Sequence, residues 1–303
     1  MSWTPQLVTY FLAASSPASI VSVFEHPPAR RPEFEGAPSL RELLDLEVID
    51  RDLFRGLSID LDNERVNLFG GQVAAQSLMA AGLTVPDGRL PHSLHGYFLR
   101  PGRRDRPIVF HVERDRDGRS FSARRVSAVQ DGAVIFDLAA SFQADEDGGD
   151  FTTAMPTGAP DPELCPSDRF SFGQPTADAR MVNPVECRDG GYSSATLWVR
   201  IPEPLGDDQL VHRCALVYLS DIATGFMGAG IPGLPEGGPS IDHAMWFRAP
   251  IRADQWVLQH MWPLMAGGAR GLYMGSMHQH DGSHGVTFTQ ESLLRPHAPR
   301  GAP

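Results

Sequence analysis

The chain has 303 residues, enough for two domains of ordinary size, and its 42% hydrophobic and 21% charged content is typical of a globular protein. Its net charge of −11 argues against nucleic acid as a partner. Cys165, Cys187 and Cys214 are odd in number and form no CxxC pair, so neither a zinc site nor a disulfide scaffold is indicated. A reducing cytoplasm fits this cysteine usage best.

Residues 1–49 are predicted to form an irregular N-terminal segment with short helices, because prolines interrupt much of it. The apolar stretch from Leu7 to Ala14 faintly resembles a signal peptide. It lacks a basic start and a longer apolar run, so we expect a packed or partly ordered helix and no membrane insertion. Ser39 and Glu42 form a capping box, which predicts a short helix to about Leu46. The tail, residues 297–303, carries no recognised address.

The stretch from Gly70 to Thr84 contains no charged residue and is rich in Ala, Leu and Met, which favour a helix. Pro86 ends it. A helix that is apolar nearly all round is a buried helix. Gln72 and Gln76 lie four residues apart and therefore share one of its faces.

Strand patterns surround this helix and define a first unit, residues 50–144. Ile108, Phe110 and Val112 alternate with more polar neighbours, the period of a half-buried strand. Two Asp-Gly pairs, beginning at Asp117 and Asp131, predict hairpin turns and hence an antiparallel meander. The predicted strands of this unit are Leu53–Ser58, Ser93–Leu99, the run from Ile108, Phe121–Val129 and Val134–Phe142.

An acidic, Gly- and Pro-rich linker, residues 145–168, precedes a second unit, residues 169–296, that repeats the pattern of the first. The motif starting at His95 matches one starting at His243, an offset of 243 − 95 = 148 residues, and the turns at Asp131 and Asp281 are offset by 150. Two close offsets indicate a tandem duplication. The predicted elements of this unit are strand Thr196–Ile201, helix Asp207–Ala223 and strands Ile241–Phe247, Trp256–Met261, Leu272–Met277 and Val286–Leu294.

Candidates for chemistry cluster in the second unit. Asp221 is the lone charged residue between Cys214 and Pro235; it either ends a helix in water or is a buried, used carboxylate. Ser240, Asp242 and His243 begin a strand beside a Gly- and Pro-rich loop, a common position for active-site residues. Asp242 and His243 are adjacent, so they should point to opposite faces of the sheet.

A run of histidines near the last turn invites a metal-site interpretation. His278, His280 and His284 accompany Asp281 there. Residues that flank a hairpin turn are usually solvated, so we predict no metal at this position. The sequence also contains no GxSxG elbow, Walker loop or dinucleotide fingerprint.

Several motifs in order resemble the acyl-CoA thioesterase II family, the double hot-dog thioesterases, over about residues 50–295. The resemblance implies an α+β fold of two tandem hot-dog units, each a long buried helix wrapped by an antiparallel sheet, together forming one sheet-on-sheet body. It also implies hydrolysis of fatty acyl-CoA to free acid and CoA without metal or organic cofactor. The motifs are Phe69-Gly-Gly-Gln-Val-Ala-Ala-Gln, His92-Ser-Leu-His-Gly-Tyr-Phe-Leu-Arg-Pro-Gly, Asp117-Gly-Arg-Ser-Phe-Ser-Ala-Arg-Arg-Val, Ala139-Ala-Ser-Phe-Gln, Tyr218-Leu-Ser-Asp and Ile241-Asp-His-Ala-Met-Trp-Phe.

By the same resemblance, the family's Asp, hydroxyl residue and Gln, which hold the attacking water, correspond to Asp221, Ser240 and Gln290. Thr224 to Pro239 departs from the family pattern, which leaves acyl-chain preference open. Arg103 and Arg104 have the chemistry to meet CoA phosphates, but solvated loop charge is the simpler interpretation.

Two other functions remain at this point. A double hot-dog enoyl-CoA hydratase would use an Asp and a His together, but its Asp-x4-His pattern is absent. A non-catalytic acyl-CoA-binding protein would not need all three residues Asp221, Ser240 and Gln290. Exposed sheet edges and the family's habit favour a homo-oligomer.

Overall fold

A computed structural model describes residues 38–58, 67–165, 176–183, 194–224 and 238–295. The predictions made for residues 1–37 and 296–303, and Cys187, lie outside these described residues. The described residues all belong to one compact unit, in which a single sheet packs around two long helices.

The described part of the chain follows the predicted order of elements, with short strands added at both sheet edges. The first unit contains α1 (Leu40–Leu44), β1 (Glu47–Asp50), β2 (Leu53–Gly56), α2 (Gly70–Gly82), β3 (Arg89–Phe98), β4 (Ile108–Asp117), β5 (Phe121–Gln130) and β6 (Ala133–Ala144). The second contains β7 (Asp178–Asn183), β8 (Ala195–Arg200), α3 (Gln209–Ser220), β9 (Asp242–Phe247), β10 (Val257–Gly267), β11 (Arg270–Gln279) and β12 (His284–Leu293).

Helix α2 is the buried helix that its composition predicts, since every residue after Gly70 is buried. Its two glutamines lie on the predicted common face, and both donate to the Leu57 carbonyl. Gln76 also donates to the carbonyl of Leu43 in α1, at 2.8 Å. The glutamines therefore satisfy backbone acceptors in the core and tie α2 to α1, whose predicted capping box is also present.

The meander that follows α2 is also confirmed. Asp131 and Gly132 both adopt positive φ, 50° and 74°, as a two-residue hairpin with the sheet's twist requires. At the other turn, the Gly118 amide donates to the Phe121 carbonyl at 2.8 Å. Both turns fix the register of β5 between β4 and β6.

The two units join differently from the predicted sheet-on-sheet arrangement. Strand β3 pairs with β9, so the units meet edge to edge in one twelve-stranded sheet of order β1-β2-β4-β5-β6-β3-β9-β12-β11-β10-β8-β7. Pairing these two edges satisfies backbone groups that each unit would otherwise leave open. Helices α2 and α3 pack against each other beneath the sheet.

The pairing of β3 with β9 also corrects the internal repeat by one residue. His95 lies opposite Ala244 and is exposed, whereas His243 lies opposite Gly96 and is buried, so the two histidines face opposite sides. Tyr97 and Trp246 share the outer face, which gives an offset of 246 − 97 = 149 residues. The predicted match of His95 to His243 is therefore wrong by one residue, because the face on which a strand side chain lies is set by the pleat and not by residue identity.

The described part of the linker crosses the outer face of the second unit. The indole nitrogens of Trp198 and Trp256 donate to Pro160 and Glu163, at 2.9 and 3.1 Å. The same face buries His278, which is 1% exposed, so the expectation that the histidines near the turn are solvated is wrong for this residue. The sequence alone does not show that the linker covers this face of the sheet.

Candidate active site

Asp221 lies where α3 ends. It caps the helix with φ −88° and ψ 1°, and two residues later Ala223 adopts a positive φ of 64° that turns the chain away. The amide of Gln259, on β10, donates to the intervening Ile222 carbonyl at 3.1 Å and holds this turn. The Asp221 carboxyl consequently points back towards the start of α2.

The first turn of α2 receives that carboxylate. The Gly71 amide donates to Asp221 Oδ2 at 2.8 Å. A carboxylate is unfavourable at the end of its own helix but favourable at the N-terminus of another, where free amides and the helix dipole meet it. Glycine is needed here, because a Cβ at residue 71 would lie 2.6 Å from the Tyr218 carbonyl oxygen.

Gln290 and Ser240 complete the predicted group. Gln290 Nε2 lies 3.3 Å from Asp221 Oδ1 and also donates to Ser240 Oγ. An amide nitrogen carries two hydrogens, so Gln290 serves both partners at once. The structure thus brings together all three residues that the resemblance pointed to, although they are separated by up to 69 positions in the chain.

A cavity of about 880 Å³ opens beside Asp221 and Ser240. Most of its lining is apolar, and much of it comes from the first unit although Asp221 belongs to the second. Apolar side chains in its wall include Leu68, Phe69, Val73, Phe98, Ile135 and Ile222. The site is therefore shared between the two units.

Burial sets the acidity of the central carboxyl. Withdrawal from water raises the pKa of Asp221 from 3.8 to about 6, while hydrogen bonds from Gln290, Gly71 and Thr224 hold it lower than burial alone would. Asp221 is half-buried and lines the cavity. It is thus ionised at neutral pH yet basic enough to take a proton.

Asp242 does not join this group, and His243 meets it only through Gln290. As predicted, they face opposite sides of β9: Asp242 accepts from the Glu291 amide at 2.7 Å, and His243 is 1% exposed with Nε2 2.8 Å from Ser220 Oγ. Burial lowers the pKa of His243 to about 4, so its imidazole stays neutral. Within the described residues, no histidine hydrogen-bonds to Asp221, which argues against the Asp–His chemistry of a hydratase.

The loop arginines divide into two kinds. Arg103 is half-exposed and paired with Asp105 at 2.7 Å, as solvated loop charge should be. Arg104 is 7% exposed, lines the cavity and donates from Nε to the Asn67 carbonyl, so that interpretation is wrong for it.

The described residues contain neither a metal site nor a membrane-spanning helix. No three His, Cys, Asp or Glu side chains among them stand close enough to hold a metal ion. None of their helices combines the length and the apolar character that a membrane crossing requires.

Fold and site together define a tandem hot-dog protein with an acid, an amide and a hydroxyl at the junction of its two helices. Family models described as the acyl-CoA thioesterase N-terminal and C-terminal domains match residues 59–143 and 150–294. The chain belongs to this acyl-CoA thioesterase family, which confirms the resemblance drawn from its motifs.

Individual relatives agree with this assignment. The human acyl-coenzyme A thioesterase 8 is 36% identical over 84% of this chain and 88% of its own length. The acyl-CoA thioesterase 2 of Haemophilus influenzae is 34% identical over 85% of this chain and 97% of its own. The crystal structure of acyl-CoA thioesterase II TesB2 from Mycobacterium marinum, 40% identical, aligns with a TM-score of 0.74 over 87% of this chain and all of that one.

Proposed function

We propose that this chain hydrolyses acyl-CoA thioesters to a free acid and CoA by direct attack of a water molecule. The observation that carries the proposal is the convergence of Asp221, Gln290 and Ser240 beside a largely apolar cavity that Asp221 and Ser240 line. Family membership supports the substrate class, and the geometry supports the roles of the residues.

Asp221 is the general base in this proposal. As water attacks the thioester carbonyl carbon, its proton passes to Asp221 and a C–O bond forms. The tetrahedral intermediate then collapses, the C–S bond breaks, and the proton on Asp221 passes to the departing thiolate. General-base catalysis of this kind contributes about 10²–10⁴-fold in rate.

Gln290 and Ser240 orient the water. The Gln290 amide donates to both the Asp221 carboxylate and the Ser240 oxygen, which fixes where a water can bind between them. Ser240 Oγ accepts from Gln290 and keeps its own hydrogen to donate. Positioning of a nucleophile in line with its target is among the largest sources of rate enhancement.

We also propose that the protein works in the cytoplasm as a homo-oligomer in fatty acid metabolism. The buried, unpaired thiols of Cys165 and Cys214 suit a reducing compartment. The edge strand β1 exposes Val48 and Ile49, at 67% and 46%, where a second copy would cover them. Light scattering on a sizing column tests the oligomer, and a monomer at micromolar concentration would contradict it.

Asp221→Asn is the decisive variant. Thiol release from acyl-CoAs of short, medium and long chain should fall about 10²–10⁴-fold in kcat, because the amide cannot take the proton. Asp242→Asn is the matched control: that carboxylate lies nearby but outside the cavity lining, and we expect near-normal kcat. Full activity of Asp221→Asn with an intact circular dichroism spectrum would sink the proposal.

A further inference from the structure

The charged side chains of the cavity lie in different settings. Among the described lining residues they are Asp221, Arg100 and Arg104. Asp221 marks the catalytic end, and Arg104 is buried in the wall against the Asn67 carbonyl. Arg100 is exposed to solvent, so it marks the rim.

Arg100 differs from its neighbours on the same loop in how its charge is balanced. Arg103 is paired with Asp105 and Arg106 with Asp131. Arg100 has no carboxylate partner within 4.0 Å among the described residues. Its Nη1 instead donates to the Val134 carbonyl at 2.7 Å, which anchors the side chain without neutralising it.

We propose that Arg100 binds a phosphate group of CoA at the rim of the cavity. The inference rests on the proposed thioesterase function and adds the place where the nucleotide end of the substrate is held. A guanidinium anchored through one nitrogen still offers N–H donors from the others, and arginine suits phosphate through paired, charge-assisted hydrogen bonds.

The overall charge of the protein gives such a group an electrostatic role. With a net charge of −11, the chain repels an anionic substrate at long range. An unneutralised cation on the rim offsets that repulsion at the entrance. It also sets the direction of binding, with the nucleotide at Arg100, the thioester at Asp221 and the acyl chain along the apolar wall.

The test compares two substrates that carry the same acyl chain, acyl-CoA and acyl-pantetheine, which lacks the nucleotide and its phosphates. For Arg100→Gln we expect KM for acyl-CoA to rise about tenfold, with kcat unchanged and KM for acyl-pantetheine unchanged. Arg100→Lys keeps the charge, so its KM for acyl-CoA should rise less than that of Arg100→Gln. The dependence of KM for acyl-CoA on salt should be weaker in Arg100→Gln than in wild type.

Arg103→Gln is the matched control, because it removes a neighbouring arginine that Asp105 already neutralises. An equal rise in KM for both substrates in Arg100→Gln, or the same acyl-CoA effect in Arg103→Gln, would overturn the phosphate contact. Acyl-3′-dephospho-CoA shows which phosphate Arg100 contacts. If Arg100→Gln still raises KM for this substrate, the contact is to the diphosphate; if KM no longer rises, the contact is to the 3′-phosphate. Wild-type protein that hydrolyses neither thioester would instead overturn the proposed function.

Discussion

The last turn of α3 and the last turn of α2 occupy corresponding places in the two units, and each faces the first turn of the other helix. At the first junction Gly71 meets Tyr218 and Asp221; at the second, Gly82 packs against Leu210. The backbone arrangement is repeated, so differences between the junctions come from side chains.

The chemistry of the two junctions is opposite. By the strand offset of 149, Ser240 corresponds to Pro91, and by the turn offset of 150, Gln290 corresponds to Ala140. The residue that follows the helix is Leu83 in the first unit and Asp221 in the second. Pro91 accepts a hydrogen bond from the Arg213 guanidinium, whose pKa burial lowers to about 10. One junction thus holds a half-buried carboxylate and the other a half-buried cation.

The two units of this duplicated fold contribute different parts of one site. The second unit supplies the acid, the amide and the hydroxyl, while the first supplies the amide of Gly71 and much of the cavity wall, including Phe98 and Ile135. The first unit needs no catalytic groups of its own to take part in the site.

Replacing one buried glutamine in each unit tests this division most strongly. Gln290→Ala should lower kcat about 10²-fold, because Asp221 and Ser240 lose the common donor that positions them around the attacking water. Gln76→Ala should leave kcat unchanged but lower the free energy of unfolding by about 2 kcal/mol, since the Leu43 carbonyl loses that donor. Steady-state kinetics and urea denaturation measure both; a large kcat loss in Gln76→Ala would mean that the units are not separable in this way.

The pH dependence of the rate should report the buried carboxyl. Burial raises the pKa of Asp221 to about 6, and the proposed general base acts when deprotonated, so kcat/KM should fall about tenfold per pH unit below about 6. His243, with a pKa of about 4, stays neutral in this range and gives no such limb. A profile that is flat down to pH 5, or whose limb vanishes in Asp242→Asn, would assign the base elsewhere.

The raised pKa of Asp221 also makes the free energy of unfolding depend on pH. The native pKa of Asp221 lies above its ordinary value of 3.8, so between 3.8 and about 6 the folded state binds more protons than the unfolded state. Its contribution to the free energy of unfolding is therefore present at low pH and is lost as pH rises through about 6. Asp221→Asn should flatten this part of the stability profile, as measured by urea denaturation at several pH values.

The two helix junctions offer a matched pair of glycines. A Cβ at residue 71 meets a backbone carbonyl at 2.6 Å, whereas a Cβ at residue 82 meets the flexible end of Leu210 at the same distance. Gly71→Ala should therefore lower kcat about tenfold and stability by about 1–3 kcal/mol. Gly82→Ala should leave kcat intact, because Leu210 can move and helix propensity improves; equal kcat losses would contradict the assignment of the site to one junction.

Much of the fold follows from local sequence, and the missed parts show why the rest does not. Helix α2 and the Asp131 turn depend on composition and on turn chemistry that neighbouring residues reveal. Strand β1 is four residues long and exposed throughout, so it has no alternation to detect. The edge-to-edge joining of β3 and β9 is a long-range choice that neither strand's sequence specifies.

The site divides in the same way. Asp221, Ser240 and Gln290 carry residue types that a family resemblance can point to, and the structure places them together. The amide of Gly71 carries no side-chain signal, and its role depends on how α2 packs on α3. Gln259 also gave no signal, because a glutamine in a strand shows its partner, the Ile222 carbonyl, only after folding.

The smallest expected effect concerns the turn that aims Asp221. Ala223 has a φ of 64°, a conformation that costs an L-residue about 1 kcal/mol, whereas Leu83 at the other junction has a helical φ of −65°. Ala223→Gly should therefore raise the free energy of unfolding slightly or leave it unchanged, with kcat within about twofold. Leu83→Gly should lower it by about 1 kcal/mol. Urea denaturation of the pair measures the difference, and equal destabilisation by both substitutions would show that no strain is held at the Asp221 turn.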